Sequence, residues 1–457
     1  MTARAWSFVL SWSRVGINAL LFIVAARALG LEALGLFAIA FAPIRLVQGL
    51  HKAGIGDAVI VLDPDKRAAL FTLSLLGGLG FTALFATLGA IFSPLLLALS
   101  VIPLCHSLGA VAEGVLRQSL AIRALALRTL VIQSGAAGLA LSLLASGAGP
   151  WALVAFAIAN ATLTALVSLR LARWRPQVAA LSSLRTIWPT AAPLLGRVLL
   201  TTGQIPLAQL AIGLALGPVA AGAFQIASRM LDLIEAVTTS PLRYIALPQL
   251  RTTGNLSDGL RQHLHRSALL GAWIWGGTAM ATLPLLALAV GPAQALAAAP
   301  VLQALCGAGL LTALTMPLVQ ALTAQGHLAL VLKREAATLG LSILLILPAL
   351  TVSATTSAVA LTTAALLANL WFVRHALGAF ALPLATLAPT VPPLLAATAM
   401  CALLQTLPPT SLAMQILAGT SLYAGLMLLF HWHRSHRPMR AMAPFVRTSS
   451  PTPPNRG

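Results

Sequence analysis

Apolar stretches of about twenty residues recur along this chain from Phe8 to His431, each long enough to cross a hydrocarbon core of ~30 Å as a helix. A chain in lipid must satisfy its own backbone hydrogen bonds, so repeated stretches of this length fold as helices packed on one another. The spans read as 8–28, 34–53, 68–91, 94–116, 124–145, 150–170, 187–213, 219–247, 267–290, 299–322, 329–350, 355–376, 386–406 and 411–431. Composition agrees: 59% of the 457 residues are hydrophobic and 8% are charged, against roughly a quarter charged in soluble domains. The expected fold is all-α and membrane-embedded, with about fourteen transmembrane helices. The first stretch holds Arg14 and Asn18 and runs to about Ala28, longer than a signal-peptide core, and reads as the first membrane helix.

The net charge of +19 raises the question of nucleic acid, but the basic residues form no single run or stripe. They fall instead into alternate connections. Of 28 Lys and Arg residues, 22 lie on one side, among them Lys52, Arg128, Lys333 and Arg334, while the other side holds only Arg27. The turns on that poor side are GLEALG at 30–35, SGAGP at 146–150, GPVAAG at 217–222 and LPPTS at 407–411. By the positive-inside rule both termini are cytoplasmic, which requires an even helix count in a bacterial inner-membrane protein. The basic, Pro- and Ser-rich tail at 433–457 reads as disordered and cytoplasmic. Cys105, Cys306 and Cys401 are far apart within apolar segments and read as packing residues.

The chain also repeats itself. ALGLEALGLFAIA at 28–40 and ALGPVAAGAFQIA at 215–227 are identical at eight of thirteen positions, at an offset of 187. Both bridge the turn between the first and second helix of a unit, and the second copy begins six spans later. Six is even, so the two units share an orientation and an axis along the membrane normal. Parallel repeats of this kind build two-lobed transporters with the substrate site between the lobes. The expected organisation is a lobe of helices 1–6 at 1–176, a lobe of helices 7–12 at 177–380, and two appended helices at 381–432.

The stretch ARALGLEALGLFAIAFAPIRLVQGLHKAGIGDAV at 26–59 resembles the opening of bacterial polysaccharide flippases of the multidrug/oligosaccharidyl-lipid/polysaccharide exporter superfamily. The resemblance continues through AEGVLRQSLAIRALALR at 112–128, GAGPWALVAFAIAN at 147–160, LARWRP at 171–176, GAFQIASRM at 222–230 and LPQL at 247–250. It implies two pseudo-symmetric helical bundles around a central cavity, working by alternating access. The last third is similar only in hydropathy and spacing.

Five arginines fall inside spans: Arg14, Arg45, Arg197, Arg229 and Arg243. Ionisable residues at such depth face a bundle interior or a water-filled cavity. Arg14 and Arg243 lie near span ends and can snorkel. Arg45 and Arg229 lie deeper and, with Arg197 and Arg14, are the candidate substrate-binding residues. Asp232 and Glu235 continue from Arg229 at helical spacing, and the repeat offset carries Arg45 onto Asp232. Two readings of Asp232 stand side by side: a cross-cavity partner for Arg45, or a local partner for Arg229. Ion coupling through Asp232 or Glu235 is a further expectation. Glu113 and Arg117, at i and i+4, read as a structural pair.

Guanidinium groups remain charged and present a planar fork of donors suited to diphosphate. The cargo that the resemblance implies, and that this chemistry fits, is a polyprenyl-diphosphate-linked oligosaccharide, its tail remaining in the membrane lipids while its head crosses. Flipping breaks no bond, and the chain shows no nucleotide loop, metal cluster or nucleophile–base motif, so neither enzyme activity nor a cofactor is expected. The alternatives are a peptidoglycan lipid-precursor flippase and a multidrug cation antiporter, the latter favouring a carboxylate-dominated cavity. A membrane glycosyltransferase calls for a long extracytoplasmic loop that the span pattern lacks. The pattern sets no oligomeric state.

Overall fold

The computed structural model describes the backbone of residues 3–252, 256–406 and 412–435, and most side chains within them. Helix α1 (Ala3–Gly49) runs through the first two expected spans as one element, broken only at Gly30, where φ is 73° and ψ 177°. Essentially only glycine occupies that conformation. The turn expected at 30–35 is therefore a one-residue kink. The chain then makes a π-helical segment over Leu50–Ile55 and continues as α2 (Gly56–Val61), so the second span runs beyond its expected end.

The first lobe continues with α3 (Arg67–Phe92), the broken span α4 (Pro94–Leu99) and α5 (Val101–Gln118), then α6 (Ile122–Ala145) and α7 (Trp151–Ala172). The second lobe opens with α8 (Leu184–Thr202) and α9 (Gln204–Leu216), which meet at 57°. It continues with α10 (Pro218–Thr252), then α11 (Leu256–Met280) and α12 (Thr282–Val290), bent by 72°. Helices α13 (Pro292–Ala324), α14 (Leu328–Ala349) and α15 (Ala354–Ala379) complete it, and α16 (Val391–Thr406) and α17 (Leu412–Ser435) are appended.

Among the described residues nine helices are long and apolar enough to cross a membrane, or eleven with each bent pair taken as one span. The first of the nine holds two expected spans across Gly30, and α10 and α14 carry charged residues. The arrangement is consistent with the expected fourteen. Large side chains such as Ile91, Phe92 and Leu214 are more than two-thirds exposed, as a lipid-facing surface requires.

The repeat recurs in the backbone. Gly217 breaks α9 from α10 with φ 85° and ψ 178°, nearly the values at Gly30, its counterpart at the repeat offset. The Gln209 side chain donates to Ala221 O at 2.9 Å and pins this second kink. Here the lobes touch. A Cβ on Gly35 would lie 1.8 Å from Pro218 O, and one on Gly222 would lie 2.1 Å from Leu31 O. Leu31 and Pro218 are themselves related by the offset, so the two contacts are symmetric copies. Small residues admit such close backbone approach between membrane helices.

The buried core divides accordingly. One cluster joins both lobes at this end, combining Leu34, Phe37 and Ile44 with Ile212, Phe224 and Leu286. A second cluster joins the first lobe to α8 of the second, and a third lies within the second lobe. The second is built from Ile55, Leu70, Phe71 and Val111 with Ile187 and Ala191 of α8, the third from Leu260, Leu264, Leu318 and Phe372. The appended helices dock through Met400 and Tyr423, whose hydroxyl donates to Leu269 O at 2.8 Å. Between these contacts the lobes enclose a cavity.

Several residues counted with the basic side lie within helices and are partly or wholly buried. Lys52 is in the π-helical segment and lines the cavity. Arg128 lies in α6 with its side chain 7% exposed, and Arg334 in α14 with its side chain 12% exposed. Hydropathy windows assign charge to loops; here buried partners hold it inside. The 407–411 turn and the tail from 436 lie outside the described residues.

Candidate functional site

The cavity has two halves that meet at Arg45 and Asp232. The first-lobe half has a volume of about 460 Å³ and the second-lobe half about 720 Å³, both within the range of roughly 300–1,000 Å³ typical of small-molecule sites. Asp232 lies 3.8 Å from the Arg45 guanidinium across the lobe interface and 3.7 Å from that of Arg229 one turn away. Both readings of Asp232 are thus present in one arrangement: a single carboxylate set between two arginines from different lobes. Arg45 and Arg229 are 23% and 31% exposed, open enough to meet a ligand.

Helical spacing explains why these groups gather. Phe37, Phe41, Arg45, Gln48 and Lys52 follow one another at intervals of three or four residues, so they share one face of α1 and its continuation. All five line the first-lobe half. From α10, Gln225, Arg229 and Asp232 reach it at the same spacing. Phe37 and Phe41 stack with centroids 5.2 Å apart and planes at 18°. This stripe was open to sequence reading, because its period is visible once the helix is granted.

The second-lobe half is lined by Arg197, Asp232 and Glu235 and by two residues that sequence reasoning missed, Arg334 and Glu335. Arg334 donates to Glu335 Oε1 at 2.8 Å and to Asn369 Oδ1 at 2.9 Å, and its guanidinium sits 5.3 Å from the Phe372 ring centroid. Its charge is locally balanced. Among the described residues the first-lobe half holds three cations, Arg45, Lys52 and Arg229, against one acid, Asp232. The second-lobe half holds three of each. An anion is therefore favoured in the first-lobe half. The side chains of Arg14 and Arg243 lie outside the described residues.

Glu113 belongs to a different cluster. It bonds Arg117 at 2.7 Å, as the i, i+4 spacing implied, and also lies 3.7 Å from Arg128, whose guanidinium donates to Ser168 Oγ at 2.5 Å. Arg117 reaches on to Asp57 at 3.9 Å. Among the described residues no group of three His, Cys, Asp or Glu side chains could hold a metal ion.

A family profile described as polysaccharide biosynthesis protein matches residues 24–295, more than half of the chain. The chain belongs to this family. The match takes in α1 from about its sixth turn, the kinks at Gly30 and Gly217, and Arg45, Arg229 and Asp232, and it ends just past α12. No curated protein matches the chain in sequence. Among solved structures, the lipid II flippase MurJ in an inward closed conformation superposes with a TM-score of 0.77. At 12% identity, the match covers 94% of this chain and 99% of MurJ. An inward-facing multidrug resistance transporter of the MATE family, of the MOP superfamily, superposes with a TM-score of 0.58 at 16% identity, covering 80% and 98%. This member of the polysaccharide biosynthesis family is thus a multi-pass membrane protein with the fold of these transporters.

Proposed function

We propose that this protein is a flippase that moves a polyprenyl-diphosphate-linked oligosaccharide across the bacterial inner membrane by alternating access, for surface polysaccharide synthesis. The observation that carries the reading is the Arg45–Asp232–Arg229 bridge between the lobes, at the border of a cavity half that is rich in cations. A diphosphate offers both arginines a stronger acceptor than one shared carboxylate, and charge-assisted forks bind it well. Because Asp232 joins the two lobes, an entering anion competes with it and loosens the interface. Release then requires the anion to be held better in one access state than in the other. No bond is made or broken, and the protein acts as a carrier rather than an enzyme.

The test is flipping of a polyprenyl-diphosphate-linked hexose in proteoliposomes, counted per inserted protein. Arg45→Ala and Arg229→Ala should each slow it at least about tenfold, the loss expected when a charge-assisted contact worth ~1.5–3 kcal/mol is removed. Arg→Lys keeps the charge, loses the fork, and should fall between. Wild-type flipping by both alanine variants sinks the proposal. Rescue of Arg45→Asp by Asp232→Arg would show instead that the pair serves only to join the lobes.

The same reading places both termini in the cytoplasm. A phosphatase active only in the periplasm, fused after Gly457, should be silent, and strong activity would invert the assigned sidedness.

A further inference from the structure

Gln133 of α6 is 8% exposed, and its Oε1 has no hydrogen-bond partner. A buried amide left unpaired costs roughly 1–3 kcal/mol, so folding alone does not favour it. The side chain lines the first-lobe half of the cavity together with the stacked Phe37 and Phe41. Aromatic rings beside a buried amide are the chemistry that reads a pyranose. The ring face takes the apolar C–H side of the sugar, and the amide exchanges hydrogen bonds with a hydroxyl or acetamido group. An isoprenoid tail could lie on the rings but has no polar group for Gln133.

The order of residues along α1 also sets the order of ligand parts. At about 1.5 Å per residue, Phe41 stands ~6 Å from Arg45 along the axis, and Lys52 lies ~10 Å beyond Arg45 in the opposite direction. The rings lie toward the Gly35–Gly222 contact and the cations away from it. We propose that the first-lobe half of the cavity holds a pyranose subsite, in which Gln133 and the Phe37–Phe41 stack read the sugar adjoining a diphosphate bound by Arg45, Arg229 and Lys52. This rests on the diphosphate reading above and adds which part of the cargo the protein recognises. The sugar points toward the Gly35–Gly222 contact, the diphosphate lies behind it, and the lipid tail leaves the cavity.

The experiment compares two probes bound to purified protein in nanodiscs: polyprenyl diphosphate alone, and the same lipid carrying N-acetylglucosamine. The wild-type protein should bind the glycosylated probe about tenfold tighter, as one amide contact and one stacked ring supply. Gln133→Leu keeps the volume, removes the unpaired amide, and should raise the melting temperature while cutting that preference at least about threefold. Phe41→Leu should also lower it. Each preference is a ratio within one preparation, so a misfolded fraction cancels. Equal wild-type affinity for the two probes overturns the subsite, as does an undiminished preference in Gln133→Leu, which would mean the amide meets only a water. The diphosphate reading fails separately, if Arg45→Ala and Arg229→Ala bind the bare lipid as tightly as the wild type does.

Discussion

Replacing Glu113 with alanine should lower the unfolding free energy by about 3–5 kcal/mol, the cost of leaving a buried charge without its partner. The carboxylate is 14% exposed and lies between Arg117 and Arg128. The two arginines differ in what remains to them. Arg117 is 33% exposed and keeps Asp57 at 3.9 Å, so water and a second carboxylate soften its loss. Arg128 is 7% exposed and keeps only the neutral Ser168 among its bonded partners. The penalty therefore falls mainly on Arg128. Denaturation in mixed micelles should show Glu113→Ala strongly destabilised and Glu113→Gln less so. The double variant Glu113→Leu/Arg128→Leu should recover more than half of the loss, because removing both charges removes the stranded one. A loss under about 1 kcal/mol, or a double variant no better than the single, would contradict the assignment of this cluster to structure.

The same cluster shows what could be read from the chain. The Glu113–Arg117 pair follows from i, i+4 spacing alone, whereas Arg128, near the start of the 124–145 span, was counted only with the basic side. Charge in a hydropathy window argues for a connection unless its partner is known, and that partner is on another helix. Arg334 was counted among connections although Glu335, the next residue, balances its charge, because its other acceptor, Asn369, lies on a different helix. By contrast, the two-lobed arrangement was legible because the kink chemistry is encoded twice. Gly30 and Gly217 occur at the same place in both repeats, and their backbone angles agree. The approach of Arg45 to Asp232 was also accessible, because the offset of the repeat links those positions. Gln133 carried no signal at all: an unpaired amide in an apolar helix looks like any other polar residue until its surroundings are seen.

Gly35→Val and Gly222→Val should each abolish transport by preventing the lobes from closing at the end where they touch. The added Cβ would meet backbone, Pro218 O at 1.8 Å in one case and Leu31 O at 2.1 Å in the other, and backbone cannot rotate aside as a side chain can. The helices must part, so a state that depends on this contact loses population while one with the lobes separated here does not. A second tie acts at the same end. Arg27 of α1 donates to Leu288 O and, at 2.9 Å, to Ala289 O, the last carbonyls of α12 in the other lobe. A cation there satisfies carbonyls that a helix end leaves open and complements its dipole. Arg27→Ala should act in the same direction but more weakly, because the contact is solvent-exposed. The measurement is labelling by a membrane-impermeant maleimide at Ala223→Cys, a position 4% exposed, in a background without the native cysteines. Labelling from the extracytoplasmic side should be low in the parent, high with Gly35→Val or Gly222→Val, and intermediate with Arg27→Ala. A carrier needs both access states, so transport should fall as labelling rises. Unchanged labelling in both valine variants, at normal protein levels, would mean that the symmetric glycine contact does not hold this end shut.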